Sequence, residues 1–324
     1  MSAPATPART KATPAARRRA QRGIALVLVL WLTVLLTAIA GGFAYSMRTE
    51  ALAAGNAIAV AKVRAAADGA IDRTAFELTR PRVPGAWAPN GAAHAWRDGE
   101  IEIAVRATDG TAKIDLNAAS EILLRGLLTN VGGADPDTAA GIVDAILDWR
   151  DPDDLRRARG AEAPDYQAAG AKAMPANGPF ETLGEVSRVL GMTPAIYARI
   201  AGSVTVYSRA AGINPATASR EVLLALPNAD PAAVDAYLAV REEALRAGTS
   251  PPPYPGAGGL TSGAVQTWRV RAQASLPDGV TFVREAVVRP SPDPARALVV
   301  LAWIDGAGAP DPAADRIDSN DVRP

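Results

Sequence analysis

The chain has 324 residues, 48% of them hydrophobic and 5% aromatic, which is enough apolar material for one large domain or two modest ones. It contains no cysteine and a single histidine, His94, so disulfides, thiolate or multi-histidine metal sites and cysteine nucleophiles are excluded. Six basic residues and no acid precede Ile24. The remaining chain therefore has 28 of the 34 basic residues and all 34 acidic ones. This acidic balance argues against a nucleic-acid partner.

Residues 24–47 carry no charge, and they are numerous enough to cross a hydrocarbon core as a helix. The basic leader before them, residues 1–23, predicts an N-terminus in the cytoplasm and a single-pass protein whose remaining chain lies on the other side of the membrane. Two other interpretations are open here. One is a secretory signal cut after Ala40, and the other is a plain anchor that is never cut.

Residues 48–80 are mostly helix formers, with alanines and aliphatic residues at three- and four-residue steps and no proline before Pro81. The pattern predicts that one helix continues from the apolar segment into an amphipathic half. A secretory signal is normally followed by an unrelated mature domain, so this continuity favours an anchor that stays attached.

The leader carries a specific resemblance. Arg18, Arg19, Arg22 and Gly23, followed by the apolar run from Ile24, resemble a type III prepilin leader. This resemblance implies that a prepilin peptidase cuts after Gly23 and that Ile24 becomes the methylated first residue. Major pilins have glutamate at the fifth position after the cut, whereas this chain has Leu28. In this departure the chain resembles the protein K family of minor pseudopilins of the type II (general) secretion pathway.

Alternating apolar and polar residues predict five strands in the rest of the chain, over residues 100–106, 203–208, 267–274, 279–289 and 297–304. The segment between the first two has helical spacing. We therefore predict an α+β fold, in which the long pilin-like N-terminal helix packs on an antiparallel sheet that carries an inserted all-α domain. The expected bounds are 81–110 and 203–304 for the sheet region, 111–202 for the inserted domain, 212–246 for a second helical repeat, 247–266 for a Pro/Gly linker and 305–324 for a disordered tail.

Two stretches of the helical material, residues 115–124 and 214–224, repeat the same pattern of a polar start, Ala-Ser and a leucine-rich helix. Each is followed by a Gly- or Pro-marked turn and another helix, which resembles helix-hairpin-helix (SAM-like) modules, some of which bind DNA. Residues 109–200 contain 14 acids and 9 bases, so a packing role is favoured over phosphate binding. A membrane-anchored DNA-binding module is the alternative function. Ser120 and Ser219 are predicted helix caps rather than nucleophiles, and no enzymatic activity is expected.

An acidic loop is the richest chemical feature. Four carboxylates fall within residues 148–154, and Glu162 and Asp165 follow a short loop later. Such groups repel one another unless a cation lies between them, and calcium accepts six to eight oxygens in flexible geometry. The other reading is a solvated loop balanced by Arg156, Arg157 and Arg159, and spacing alone leaves both open.

The loop also resembles the protein K signature, in which Asp-Trp-x-Asp-x-Asp precedes Gly-Ala-Glu, here ending at Glu162, and a Phe-x-x-Leu-x-Glu segment follows Asn177. The resemblance implies a structural Ca²⁺ held by this loop. The expected ligands are Asp151, Asp153, Asp154, Glu162 and Asp165. The family often has an acid directly after the glutamate of Gly-Ala-Glu. Here Ala163 and Pro164 intervene before the next acid, Asp165.

Taken over nearly the whole chain, the resemblance implies a non-enzymatic minor pseudopilin of the inner membrane with a periplasmic head. Its implied place is the tip of a short periplasmic fibre, where it helps to initiate assembly for the export of folded proteins across the outer membrane. The implied partners are other minor pseudopilins, the major pseudopilin, the prepilin peptidase and the inner-membrane assembly platform, with no nucleic acid among them.

Overall fold

The computed structural model describes residues 14–80, 86–255, 260, 267–291, 293 and 298–306. The chain divides into two compact units, Met1–Ala61 and Lys62–Pro324. Three predicted segments therefore lie wholly or partly outside the described residues: the start of the basic leader, most of the second half of the Pro/Gly linker, and nearly all of the C-terminal tail.

The described part of the first unit, residues 14–61, is helical. It belongs to α1 (Pro14–Thr79), a single helix of 66 residues, so the predicted continuation of the apolar segment is confirmed as far as Thr79. Every side chain from Ile24 to Ile58 is exposed. Within the described part of the chain, this helix is long and apolar enough to cross a membrane by length and composition, with a mean hydropathy of 2.6 over its most apolar window.

The second unit combines strands with short helices. After the end of α1 the elements are β1 (Asn90–Asp98), β2 (Ile101–Asp109), β3 (Ile114–Asp115), α2 (Glu121–Gly126), α3 (Pro136–Arg150), α4 (Ala163–Ala168), α5 (Leu183–Val186), α6 (Pro194–Ile200), β4 (Val204–Thr205), α7 (Arg220–Leu224), α8 (Pro231–Arg246), β5 (Trp268–Ser275), β6 (Thr281–Pro290) and β7 (Leu298–Asp305).

Five strands form one antiparallel sheet in the order β1-β2-β5-β6-β7. The C-terminal part of α1 packs on it through Val63, Ala67 and Ile71, which recur at three- and four-residue steps on one helix face and are fully buried. Facing strand positions include Ala272 and Ala274, so small side chains on both layers let the helix approach the sheet closely. The predicted α+β architecture of a long helix on an antiparallel sheet is confirmed.

The prediction that residues 203–208 form a strand of this sheet is wrong. Within that range only Val204 and Thr205 pair, and they pair in parallel with Ile114 and Asp115 in a separate two-stranded ladder. The alternation arose because Val204 and Val206 are buried in the core of the helical region rather than on a sheet face. One hydrophobic cluster runs from Ile114 to Tyr237 and includes both helical repeats, so the structure continues the helical region beyond the expected bound at residue 202.

Strand β1 was not predicted, and the single histidine, His94, lies on it. The ring of His94 stacks on Trp87 with centroids 3.9 Å apart. The sequence of β1, NGAAHAWRD, is poor in β-branched residues, so its strand conformation depends on pairing with β2 rather than on local propensity.

The two helical repeats share a contact that their sequences did not reveal. Arg150, at the end of α3, donates to the carbonyls of Leu116 and Ala119, and Arg241, on α8, donates to those of Pro215 and Ala218. In each copy an arginine of the second helix thus fixes the turn that precedes the first helix. The predicted caps are confirmed, because Ser120 accepts a hydrogen bond from the amide of Leu123 and Ser219 from that of Val222.

The repeats pack directly on each other at Gly126. A Cβ at Gly126 would lie 2.1 Å from the carbonyl oxygen of Ala225, at the end of α7, and nearby the side chain of Asn130 donates to the carbonyl of Leu224 over 2.9 Å. Only a residue without a side chain permits this approach of the two backbones.

Gly126→Ala should therefore lower the free energy of unfolding by about 1–3 kcal/mol, the usual cost of overpacking. Gly141→Ala is the matched control because Gly141 is also helical, in α3, and its nearest neighbour would be the Arg159 carbonyl at 3.7 Å. The control should gain up to about 1 kcal/mol from helix propensity. Urea denaturation followed by circular dichroism measures both, and equal changes in the two variants would contradict the close packing of the repeats.

Candidate functional site

The acidic loop connects α3 to α4, and the sequence fixes both of its ends. Helix α3 starts after its N-cap, Asp135, and stops at Arg150 because Pro152 disfavours helical backbone at Asp151, which is extended (φ −84°, ψ 161°). Helix α4 starts at Ala163 with Pro164 in its first turn, directly after Glu162.

Glu162 is the centre of the site. Its side chain is 3% exposed, and neither carboxylate oxygen has a hydrogen-bond partner among the described residues. Asp151 contributes a second orphan, because its Oδ1 is buried and also without a partner there. Buried polar atoms are nearly always satisfied, so three unpartnered acceptor oxygens in one loop point to a missing donor or cation.

The electrostatics agree with this geometry. Burial raises the pKa of Glu162 to about 7, and repulsion by Asp148, Asp151, Asp154 and Asp153 adds to the effect. Burial and the neighbouring Asp153 also raise the pKa of Asp151. These carboxylates therefore share one region of strong negative potential.

Three arginines of the loop are paired, as the solvated-loop interpretation expects, but none of them pairs with Glu162 or Asp151. Arg156 lies 3.0 Å from Asp165, Arg157 lies 3.4 Å from Asp148, and Arg159 lies 2.7 Å from Asp137. Asp148 itself is completely buried and also accepts a hydrogen bond from the Arg157 amide.

The remaining predicted ligands are partly engaged. Oδ1 of Asp153 accepts from the amide of Leu155 at 2.9 Å, and Oδ1 of Asp154 accepts from Asn177 at 2.7 Å. Asp165 is the least available, because one oxygen holds Arg156 and the other accepts the amide of Glu162 at 3.0 Å. These hydrogen bonds and Arg156 lower the pKa of Asp165.

Across the described ranges, no three acidic side chains lie close enough to hold a metal ion in this arrangement. Glu162 and Asp151 supply the orphan oxygens, and Asp153 and Asp154 act on Glu162 electrostatically, whereas Asp165 is bound to Arg156. The donor set is entirely carboxylate, which suits a hard cation such as Ca²⁺.

Two supporting residues were missed by the sequence reasoning. Gly160 lies against Asp148, so close that a Cβ there would be 1.9 Å from Oδ2. The ring of Trp149 stacks on that of Phe180 with centroids 5.5 Å apart, and it contacts the ring of Tyr166 edge-to-face with centroids 5.9 Å apart. The three aromatic rings thus pack together next to the loop. Both residues lie within the motif quoted above, but their packing roles depend on contacts across the domain.

The processing residues all lie on α1. Gly23 is within the helix, while Ile24 and Leu28 present exposed apolar side chains. The cut itself stays a prediction.

The two hairpins are poorly suited to DNA phosphate. The carboxylate of Asp135 caps α3 by accepting the amides of Asp137 and Thr138, and that of Asp230 caps α8 by accepting the amide of Ala233. A phosphate would compete with a fixed negative charge for these amides.

Comparisons with known proteins agree with this architecture. Residues 104–209 match a family model described as type II secretion system (T2SS), protein K. The chain is 29% identical over 204 residues to the type II secretion system protein K of Klebsiella pneumoniae, an alignment that covers 56% of this chain and 61% of that relative.

The fold is similar to a chain in the crystal structure of the GspK-GspI-GspJ complex from the enterotoxigenic Escherichia coli type 2 secretion system. The TM-score is 0.55 at 19% identity, and the match covers 81% of this chain and 99% of that one. The family model and the relative both indicate similarity to the type II secretion system protein K family. The residues matched by the family model include the acidic loop.

Proposed function

We propose that this protein is a minor pseudopilin, anchored in the inner membrane by α1 with its N-terminus in the cytoplasm, that caps the tip of a short periplasmic fibre and helps to initiate its assembly. In this role it supports the export of folded proteins across the outer membrane and performs no catalysis. Its partners are other minor pseudopilins, then the major pseudopilin, the prepilin peptidase and the assembly platform. The similarity to a chain of a three-pseudopilin complex supports the first of these.

Leu28 carries the proposal. In pilin fibres the glutamate at this position meets the free amine of the neighbouring subunit beyond it, inside an apolar environment. A subunit with no neighbour beyond it has no partner for that carboxylate, and an unpaired buried charge costs several kcal/mol. An exposed leucine at this point of α1 is therefore the lower-energy choice at the end of a fibre and a poor choice within it.

Processing gives the first test. Mature protein purified from cells with active peptidase should begin at Ile24 and carry an N-methyl group, because the cut after Gly23 leaves the apolar helix attached. Gly23→Val should block the cut by placing a branched side chain at the cleavage position. Mass spectrometry of the intact protein decides: a start at Gly41 would identify a secretory signal, and an uncut Met1 would identify a plain anchor.

The cap position gives the second test. Leu28→Glu should leave membrane insertion and cleavage unchanged and should not improve fibre assembly, because the new carboxylate has no amine beyond it. Leu28→Gln is the control that adds polarity without charge. Site-specific crosslinking from α1 should trap other pseudopilins and no second copy of this chain. Crosslinks between copies along the fibre would contradict the cap.

We also propose that the acidic loop holds a structural Ca²⁺ with Glu162 and Asp151 as its principal ligands and Asp153 and Asp154 beside them. Support comes from the three orphan oxygens, the raised pKa of Glu162 and the all-carboxylate donor set. When bound, the cation supplies positive charge that these carboxylates lack. The remaining side chains orient the loop, with Asp148 held by Arg157 and Asp154 held by Asn177.

Calcium should raise the melting temperature of the detergent-solubilised full chain by several degrees. At a concentration one hundred times its Kd, a bound ligand raises the free energy of unfolding by about 2.7 kcal/mol. Glu162→Gln combined with Asp151→Asn should abolish the increment. Glu242→Gln, which removes one carboxylate from α8, should retain it. Differential scanning fluorimetry with calcium and with chelator measures the difference, and identical melts of the unmutated protein would remove the site.

The same experiment has a defined pH dependence. Because the folded pKa of Glu162 is about 7 against 4.5 for the free side chain, the calcium-free fold binds more protons than the unfolded chain between these values. The contribution of Glu162 to the free energy of unfolding of the calcium-free protein is therefore fully present below pH 4.5. It is lost as the pH rises through 7. Protons compete with calcium, so the calcium increment should shrink below pH 7. A pH-independent increment would exclude Glu162 as a ligand.

A further inference from the structure

A polar cavity lies where the chain crosses between the sheet and the helical region, and none of its lining residues belongs to the acidic loop. The chain leaves β2 through residues 110–113 and returns to the sheet at Thr267, immediately before β5. The two crossings are joined by a 2.7 Å hydrogen bond from the amide of Gly110 to the carbonyl of Thr267. The cavity has a volume of about 170 Å³ and is lined by both crossings.

The lining is rich in hydroxyl groups and carries two cations. The hydroxyl-bearing residues are Thr108, Thr205, Thr217, Ser219 and Thr267, and the cations are Lys113 and Arg269. Thr267 is 2% exposed, and its hydroxyl makes no hydrogen bond to another described residue. The hydroxyls of Thr108 and Thr217 donate to backbone carbonyls, which leaves those of Thr205, Ser219 and Thr267 as donors for a ligand. Hydroxyl donors and cations around a space that a small molecule can enter are typical of an oxyanion site.

Lys113 is the cation without a partner. It is half-buried and forms neither an ion pair nor a hydrogen bond with any residue in the described ranges. Arg269, by contrast, lies 3.3 Å from Glu285, which also holds Arg271 at 2.6 Å. Glu285 is thus shared by two guanidinium groups, so it is not available to Lys113 alone.

The charge of Asp109 does not cancel that of Lys113 by direct pairing. Asp109 also lines the cavity, but its Oδ1 accepts the amide of Thr111 at 2.9 Å and its Oδ2 accepts Asn214 at 2.8 Å. Burial, followed by repulsion from Arg269, lowers the pKa of Lys113 to about 8, and the opposing attraction of Glu285 is the smaller effect. The lysine therefore lies in a region where positive charge prevails.

We infer that this cavity binds a small tetrahedral oxyanion, of the size of inorganic phosphate or sulfate, held by Lys113, Arg269 and the hydroxyl of Thr267. A water takes about 30 Å³ of liquid volume, so the cavity has room for such an anion and a few waters. Because the site joins both crossings of the chain, the bound anion fixes the helical region on the sheet.

Lysine acylation tests this directly, because the sequence contains only four lysines, and Lys62 and Lys172 are exposed internal references. The full chain in a nonionic detergent without lipid is treated near pH 8 with the N-hydroxysuccinimide ester of acetic acid, at constant ionic strength, with or without saturating inorganic phosphate. Acylation at each lysine is quantified by peptide mass spectrometry.

Phosphate should slow acylation of Lys113 at least about fivefold, because a bound anion that raises the pKa of this lysine by one unit lowers its neutral fraction near pH 8 from about one half to about one tenth. Acylation of Lys62 and Lys172 should not change. Sulfate should act like phosphate, and chloride at the same ionic strength should not.

Arg269→Gln and Thr267→Val should each reduce this protection without changing the rate at Lys62, whereas the control Lys172→Gln should retain it. Thr267→Val preserves side-chain volume, so it remains informative if Arg269→Gln fails to fold. No protection at saturation, equal protection of all lysines, or protection only by phosphatidylglycerol micelles would overturn the assignment to a free oxyanion.

Discussion

The buried carboxylate of Asp115 and the side-chain amide of Asn117 organise the helical region. Asp115 is 1% exposed and lies on β3, where it accepts the amide of Asn117, the hydroxyl of Ser208 and the amide of Arg209. Such a charge is tolerated in a core only when donors surround it, so the chain after β4 must return to Asp115. These hydrogen bonds support the parallel pairing of β3 with β4, because they hold Ser208 and Arg209, just after β4, against Asp115 on β3.

Asn117 extends the constraint towards the acidic loop. Its side chain accepts the amide of Phe180 at 2.7 Å and donates to the carbonyls of Phe180 and Val206. Phe180 in turn stacks on Trp149, whose neighbours along the chain are Asp148 and Arg150. A continuous set of contacts therefore links the buried core of the domain to the end of α3. The acidic loop is rigid at its base although its carboxylates repel one another.

The two halves of the helical region solve the same structural problem in the same way. In each, a serine caps the first short helix and an arginine of the following long helix binds the carbonyls just before that cap. Helices of five or six residues are too short to be stable alone, so their persistence depends on these caps and on burial in the shared core. The contact at Gly126 then joins the halves, which makes the second repeat part of the same domain rather than an appendage of the sheet.

The sequence by itself determined the features that depend on local composition. The length of the apolar segment, its continuation to Thr79, the caps at Ser120 and Ser219 and the density of acids in residues 148–165 all follow from the properties of neighbouring residues. The tertiary structure decided the rest. Alternation at residues 203–208 reflected burial in a helical core, β1 exists only because β2 pairs with it, and Asp165 turns to Arg156 while Glu162 stays unpartnered. Each of these outcomes depends on contacts that form only in the folded chain, because residue composition does not indicate which donor will reach a given carboxylate or which strand will pair with a given edge.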